Sequence, residues 1–250
     1  ALLLQNTDGR IVFVLPFGAG FTLIGTTEVH VSTAAEGFAP SADEEAYLIS
    51  AVSRYLAQPI SRTDVVWRFA GVRPLVDDGA GSVSAVSRDW RLELSAGADG
   101  PPLLTVIGGK ITTFRLLAEA VLAKLSRVFP GMGPAWTATT PLPGGDVGQG
   151  GIAGYAEALA HRRPGLQAAT RARLVSLYGT RTDRLLGDAA RDADLGRAIG
   201  GGLTEREVVY LRDHEWAQTA EDVLWRRTKA GLDLADTERD CAEAEIARIL

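Results

Sequence analysis

Cysteine is almost missing from this sequence of 250 residues: Cys241 stands alone, so no internal disulfide can form and a disulfide scaffold is excluded. The three histidines, His30, His161 and His214, are scattered and make no zinc module. One unpaired thiol fits a reducing compartment. Lysine is scarce as well. Only Lys110, Lys124 and Lys229 interrupt the arginines among 26 basic residues, so each marks a place where a compact ammonium replaced the default guanidinium. A surplus of positive charge is also lacking; a net charge of −5 argues against nucleic acid as a partner. No apolar run approaches the ~18–20 residues that a membrane-spanning helix needs. No Gly-x-Gly-x-x-Gly follows a strand, so a dinucleotide pyrophosphate finds no cradle in these residues. Ala1–Leu4 has neither an initiator methionine nor a basic leader, and polar Gln5–Asp8 cuts it short. It reads as a strand entering a turn, in a chain expected to be part of a longer one.

What is present is globular: 46% hydrophobic and 23% charged residues with a mean hydropathy of +0.05. The length suits one large domain or two modest ones. Leu2–Gln5 and Arg10–Leu15 flank an Asp8-Gly9 hairpin signal, and Phe21–Gly25 and Glu28–Val31 read as further strands. Ser41–Glu44 has the form of a capping box, with helical periodicity behind it from Tyr47 to Leu56. Val65–Phe69 is expected as a strand, and Val83–Val86 and Asp89–Leu94 as a further hairpin pair. Leu103–Ile107 is a continuous apolar run with the character of a strand buried on both faces. An amphipathic helix is predicted to open directly after Lys110, with Leu116, Leu117, Ala120, Val121 and Leu125 as its stripe. Pro141–Gly151 reads as a linker, and from there helix signals dominate, among them a second capping box at Thr204–Glu207. The predicted class is α+β, an antiparallel sheet portion followed by an all-helical domain.

Three features carry possible chemistry. The first is the corner Gly108-Gly109-Lys110 between strand and helix. Glycines there let backbone amides approach a ligand, and the helix start offers a positive dipole end to an anion; the same glycines also serve as a plain tight turn. A P-loop is excluded, since Leu103 and Leu104 stand where its first glycine belongs and Ile111 follows the lysine. The second is Arg73 and Arg88, each near a strand end and suited to bidentate phosphate or carboxylate recognition, or to pairing with Asp77, Asp78 or Asp89. The third is a run of six arginines (162, 163, 171, 173, 181 and 184) against one acid, Asp183. That run suits anionic lipid or a partner, or else a solvated helix face balanced by acids elsewhere.

The segments Phe21–Thr27, Phe69-Ala-Gly-Val-Arg-Pro-Leu75, Val86-Ser-Arg-Asp-Trp90, Ile107-Gly-Gly-Lys-Ile-Thr-Thr-Phe-Arg115, Gly133–Trp136, Leu142–Gly145, Asp213-His-Glu-Trp216 and Leu224-Trp-Arg-Arg-Thr-Lys229 together resemble the FAD-dependent glycerol-3-phosphate dehydrogenases of the D-amino-acid-oxidase type. The resemblance implies a C-terminal portion: residues 1–102 as a substrate-binding sheet, 103–130 as a strand and helix returning to a Rossmann-like FAD domain, and 143–250 as the helical C-terminal domain. It implies Arg73 and Arg88 on the phosphate of glycerol 3-phosphate, and Lys110 as a catalytic group facing the flavin. Gly108, Gly109, Lys110, Ile111 and Thr112 would contact the FAD. It further implies electron transfer to quinone and peripheral attachment to an anionic inner-membrane surface from the cytoplasmic side; a homodimer is an additional expectation. A flavin amine or amino-acid oxidase fits the two arginines less well, since they suit a dianion. A non-catalytic module that binds a membrane or a partner is the competing class.

Overall fold

The computed structural model describes residues 1–18, 20–31, 38–73, 88–95 and 100–250. The chain divides into two compact units, Ala1–Ala138 and Thr139–Leu250.

In the first unit, β1 (Leu2–Gln5), β2 (Ile11–Phe17) and β3 (Phe21–Gly25) form an antiparallel sheet in chain order. Gly9 takes a φ of 82° in the β1–β2 turn, where the Arg10 amide donates to Asp8 Oδ1 at 3.1 Å. α1 (Ala42–Ser53) starts at the expected capping box, and its Ala51 and Val52 pack on Leu4 and Val12 of the sheet. β4 (Trp90–Ser95) and β5 (Leu103–Gly108) pair antiparallel along their full length, from Ser95↔Leu103 to Trp90↔Gly108. A 3-10 turn at Ile111–Thr113 then precedes α2 (Phe114–Leu125), so the helix opens a turn later than the sequence suggests.

Three strand expectations fail here. Glu28–Val31 makes no ladder; the side chains of Thr27 and Glu28 are engaged with Glu44 and Arg73. Val65–Phe69 is also unpaired; Trp67 stacks on Phe69 with ring centres 4.6 Å apart, and Phe69 stays exposed rather than covering a sheet face. β5 is not covered on both faces: Leu103 and Val106 are exposed, since β4 is its sole sheet neighbour among the described residues. Val83–Val86 lies outside the described residues.

The second unit contains α3 (Gly151–Arg162), α4 (Ala168–Tyr178), α5 (Arg181–Leu186), α6 (Glu205–Glu215) and α7 (Asp236–Ile249), with a π-helical segment at Asp222–Arg227. It is not wholly helical. β6 (Ala198–Gly200) and β7 (Leu203–Thr204) form a small ribbon whose turn uses Gly200, Gly201 and Gly202, all at positive φ. At Gly201 a Cβ would sit 2.7 Å from the Ala230 carbonyl oxygen, so no larger residue fits. Leu159, Leu174, Leu186, Leu211, Leu224 and Ile246 lie at the centre of the core. Part of the expected linker is built into this unit: the Gly144 carbonyl accepts from the Thr180 amide at 3.1 Å, and Val147 packs on the core.

The second capping box is the clearest correction. Thr204 is the N-cap of α6 but makes no side-chain cap bond, and Glu207 is fully buried. Its carboxylate instead accepts from Arg173 Nη1 at 2.9 Å, from Arg173 Nη2, and from the Tyr178 hydroxyl at 2.7 Å, joining α4 to α6. Burial, then the Glu207 charge, drives the Tyr178 hydroxyl far above its ordinary range, so it remains a donor. Burial disfavours the Arg173 charge, yet the Glu207 hydrogen bonds and negative charge together outweigh it. Glu207→Ala strands this guanidinium and should cost about 3–5 kcal/mol in denaturant unfolding, whereas Arg173→Met with Glu207→Leu should recover most of the loss.

Candidate functional site

The strand-to-helix corner is built by backbone geometry. Gly108 and Gly109 both take positive φ, 73° and 99°, which turns the chain out of β5 within two residues. A Cβ on Gly109 would stand 3.4 Å from the Trp90 Cβ. Lys110 is extended and exposed, and its carbonyl closes the following turn by accepting from the Thr113 amide at 3.0 Å and the Thr113 hydroxyl at 2.9 Å. The amides of Ile111 and Thr112 open this turn and are among the donors a helix leaves unsatisfied. Ile111 is 87% exposed, an apolar side chain left in water beside the lysine. An ammonium, helix-start amides and an exposed apolar group together suit the electron-rich edge of a flat heteroaromatic ring.

The two candidate arginines meet. Arg73 Nη1 lies 2.5 Å and Arg88 Nη2 3.3 Å from the same atom, Glu28 Oε1. Neither guanidinium is buried: the side chains are 48% and 40% exposed, and that of Glu28 27%. The expected alternative partners Asp77 and Asp78 lie outside the described residues. Glu28 itself was not foreseen; it pairs with Arg88 across 60 positions, and no local pattern announces such a contact. The residue beside it is tethered, since the Thr27 hydroxyl donates to Glu44 Oε1 at 2.7 Å. Glu44 also accepts from the Ser41 amide, and the Ser41 amide and then the Thr27 hydroxyl hold its carboxyl below the ordinary range, so it stays an acceptor.

Register relates the two features. Trp90 opposite Gly108 is the last pair of the β4–β5 ladder, so the chain enters β4 from Arg88 and leaves β5 into Lys110 at one end of the hairpin.

Residues 2–115 match the FAD dependent oxidoreductase family, and residues 135–250 match the C-terminal domain of alpha-glycerophosphate oxidase. Residues 2–115 thus belong with the FAD-dependent oxidoreductase family. The chain is 48% identical over 239 residues to a glycerol-3-phosphate dehydrogenase of Pseudomonas aeruginosa, covering 96% of this chain and 46% of that one. It is 44% identical to the D-erythritol 1-phosphate dehydrogenase of Brucella abortus, over 96% of this chain and 47% of that one. The aerobic glycerol-3-phosphate dehydrogenase of Escherichia coli is 42% identical, over 93% and 46%. The chain thus spans about half the length of these relatives.

In a chain that matches this family, glycines without side chains, an exposed ammonium and helix-start amides at the corner are residues that could hold the isoalloxazine end of an FAD. A pyrophosphate fingerprint is not among them. The arginine run of the second unit has other duties. Arg162 pairs with Asp183 at 2.9 Å, Arg163 donates to the Gly187 carbonyl at 2.6 Å, Arg171 to the Leu166 carbonyl, and Arg173 to Glu207. Four of the six arginines therefore stitch helices and turns together. His214 packs edge-on against Tyr210 with ring centres 5.2 Å apart, in keeping with a helix-packing residue. Among the described residues no group of three His, Cys, Asp or Glu could hold a metal, and no helix is long and apolar enough to cross a membrane.

Gly109→Ala puts an L-residue at a φ of 99° and crowds Trp90, so it should destabilise the first unit by about 1–3 kcal/mol in thermal unfolding. An unchanged melting temperature would show that the corner can relax without its glycine.

Proposed function

We propose that this chain supplies the substrate-phosphate and flavin-facing parts of an FAD-dependent dehydrogenase that oxidises glycerol 3-phosphate to dihydroxyacetone phosphate and passes the electrons to quinone. The observation that carries this reading is the meeting of Arg73 and Arg88 at the same hairpin end as the Gly-Gly-Lys corner. Two guanidiniums recognise a phosphate dianion through charge-assisted hydrogen bonds, and doing so fixes the distance from the phosphate to the carbinol carbon. A bound FAD would supply the hydride acceptor for that carbon. Lys110 and the amides of Ile111 and Thr112 would stabilise negative charge on the pyrimidine edge, and Gly108 and Gly109 would let the ring approach the backbone. Peripheral attachment to the cytoplasmic face of the inner membrane is part of the same proposal.

A second substrate is a longer phosphorylated polyol. The Brucella abortus relative, named for D-erythritol 1-phosphate, is 44% identical, between the glycerol-3-phosphate dehydrogenases of Pseudomonas aeruginosa at 48% and Escherichia coli at 42%. A phosphate clamp serves both substrates, so it sets the class while other contacts set the length of the polyol.

In the flavin-loaded enzyme, Arg73→Ala and Arg88→Ala should each lower kcat/KM for glycerol 3-phosphate about 30- to 1,000-fold, or roughly 2–4 kcal/mol, with little change for glycerol. Retained discrimination between the two compounds in both variants would defeat the clamp assignment. Comparing glycerol 3-phosphate with D-erythritol 1-phosphate in the same assay separates the two substrate readings. Lys110→Ala should instead lower kcat and the flavin midpoint potential more than it raises KM, measured by steady-state kinetics and reductive titration.

A further inference from the structure

We infer that Glu28 is a positioning residue for phosphate recognition: its carboxylate holds Arg73 and Arg88 side by side so that their remaining donors converge on a phosphate. The inference rests on the clamp reading above. Two guanidiniums brought to within hydrogen-bonding reach of one oxygen, 2.5 Å and 3.3 Å away, repel each other. Free long side chains at this degree of exposure would relieve that repulsion by splaying into water. A carboxylate between them removes the repulsion and sets their spacing. Each guanidinium approaches Glu28 Oε1 through an amino nitrogen, and a guanidinium has five N–H donors, so this contact by itself does not consume the planar fork that suits a phosphate.

The carboxylate has its own support. Thr27, the residue before it, is bonded to Glu44, and Glu44 is fixed by Ser41 at the start of α1. A helix N-terminus thereby anchors the segment that carries Glu28, and Glu28 orders two arginines from distant parts of the chain. The charge count is favourable: two guanidiniums and one carboxylate leave a net charge of +1 for the incoming dianion, before Lys110 is added.

The opposite view makes Glu28 a competitor that occupies the place of the phosphate. The two views differ in sign. If Glu28 positions the arginines, affinity for phosphate falls in the order Glu28, Glu28→Asp, Glu28→Gln, Glu28→Ala, since the amide keeps an acceptor without the charge and alanine keeps neither. If Glu28 competes, the order is reversed, because each change removes negative charge from an anion site.

The test is isothermal titration of the 250-residue chain with glycerol 3-phosphate and, separately, with inorganic phosphate. Glu28→Gln should weaken binding of both by about tenfold and Glu28→Ala further, with Glu28→Asp within a few-fold of the parent. Melting temperatures should be near that of the parent, since exposed ion pairs add little stability. Equal or tighter binding by Glu28→Gln and Glu28→Ala overturns the inference. Arg73→Ala separates its failure from that of the clamp. If Arg73→Ala loses binding while Glu28→Gln keeps it, the clamp stands and Glu28 has no positioning role; if the parent does not bind, or Arg73→Ala binds as the parent does, both fall.

Discussion

The candidate site depends on the register of one two-stranded ladder. Because Trp90 stands opposite Gly108, the approach to β4 and the exit from β5 meet at one end of the hairpin, and Arg88 and Lys110 come with them. A slip of one residue would turn every side chain of a strand to the other face and part these two ends. The left-handed backbone at Gly109 and its close approach to Trp90 oppose such a slip from just beyond the last pair. A slender sheet therefore carries a strict geometric demand, met by backbone conformation more than by buried area.

Two arginine–glutamate arrangements in this chain differ in purpose, and exposure tells them apart. Arg173 and Glu207 are desolvated, tied to Tyr178, and costly to break singly. Arg73, Arg88 and Glu28 stand partly in water, where such pairs contribute about 0–1 kcal/mol. The exposed group adds little to stability, and its contacts are weak enough to share with a ligand. The same residue types thus serve as a structural fastening in the helical unit and as an adjustable cationic pair in the sheet unit.

What could be read from the sequence was local. The Asp8-Gly9 hairpin, the Ser41 capping box and the glycine corner each depend on residues within four positions, and the fold contains all three. Thr204–Glu207 has the same local form, yet tertiary packing turned Glu207 inward to Arg173 and Tyr178, contacts 34 and 29 positions away. Strand propensity misled at Glu28–Val31 and Val65–Phe69, where side chains found partners without a ladder. The ribbon β6–β7 is too short to show a period of two. Resemblance of motifs put Arg73 and Arg88 on one ligand; their shared carboxylate, contributed from 60 positions before Arg88, needed coordinates.

The two units are unequal in what holds them. Among the described residues the sheet unit gathers its buried apolar side chains in a small cluster of Leu4, Val12, Ala51 and Val52, whereas the helical unit has an extensive leucine-rich interior. Cores of such different size unfold as separate cooperative blocks when nothing couples them. The calorimetric enthalpy of this chain is then a sum over two events, larger than the van't Hoff enthalpy of either, and a single midpoint describes neither block.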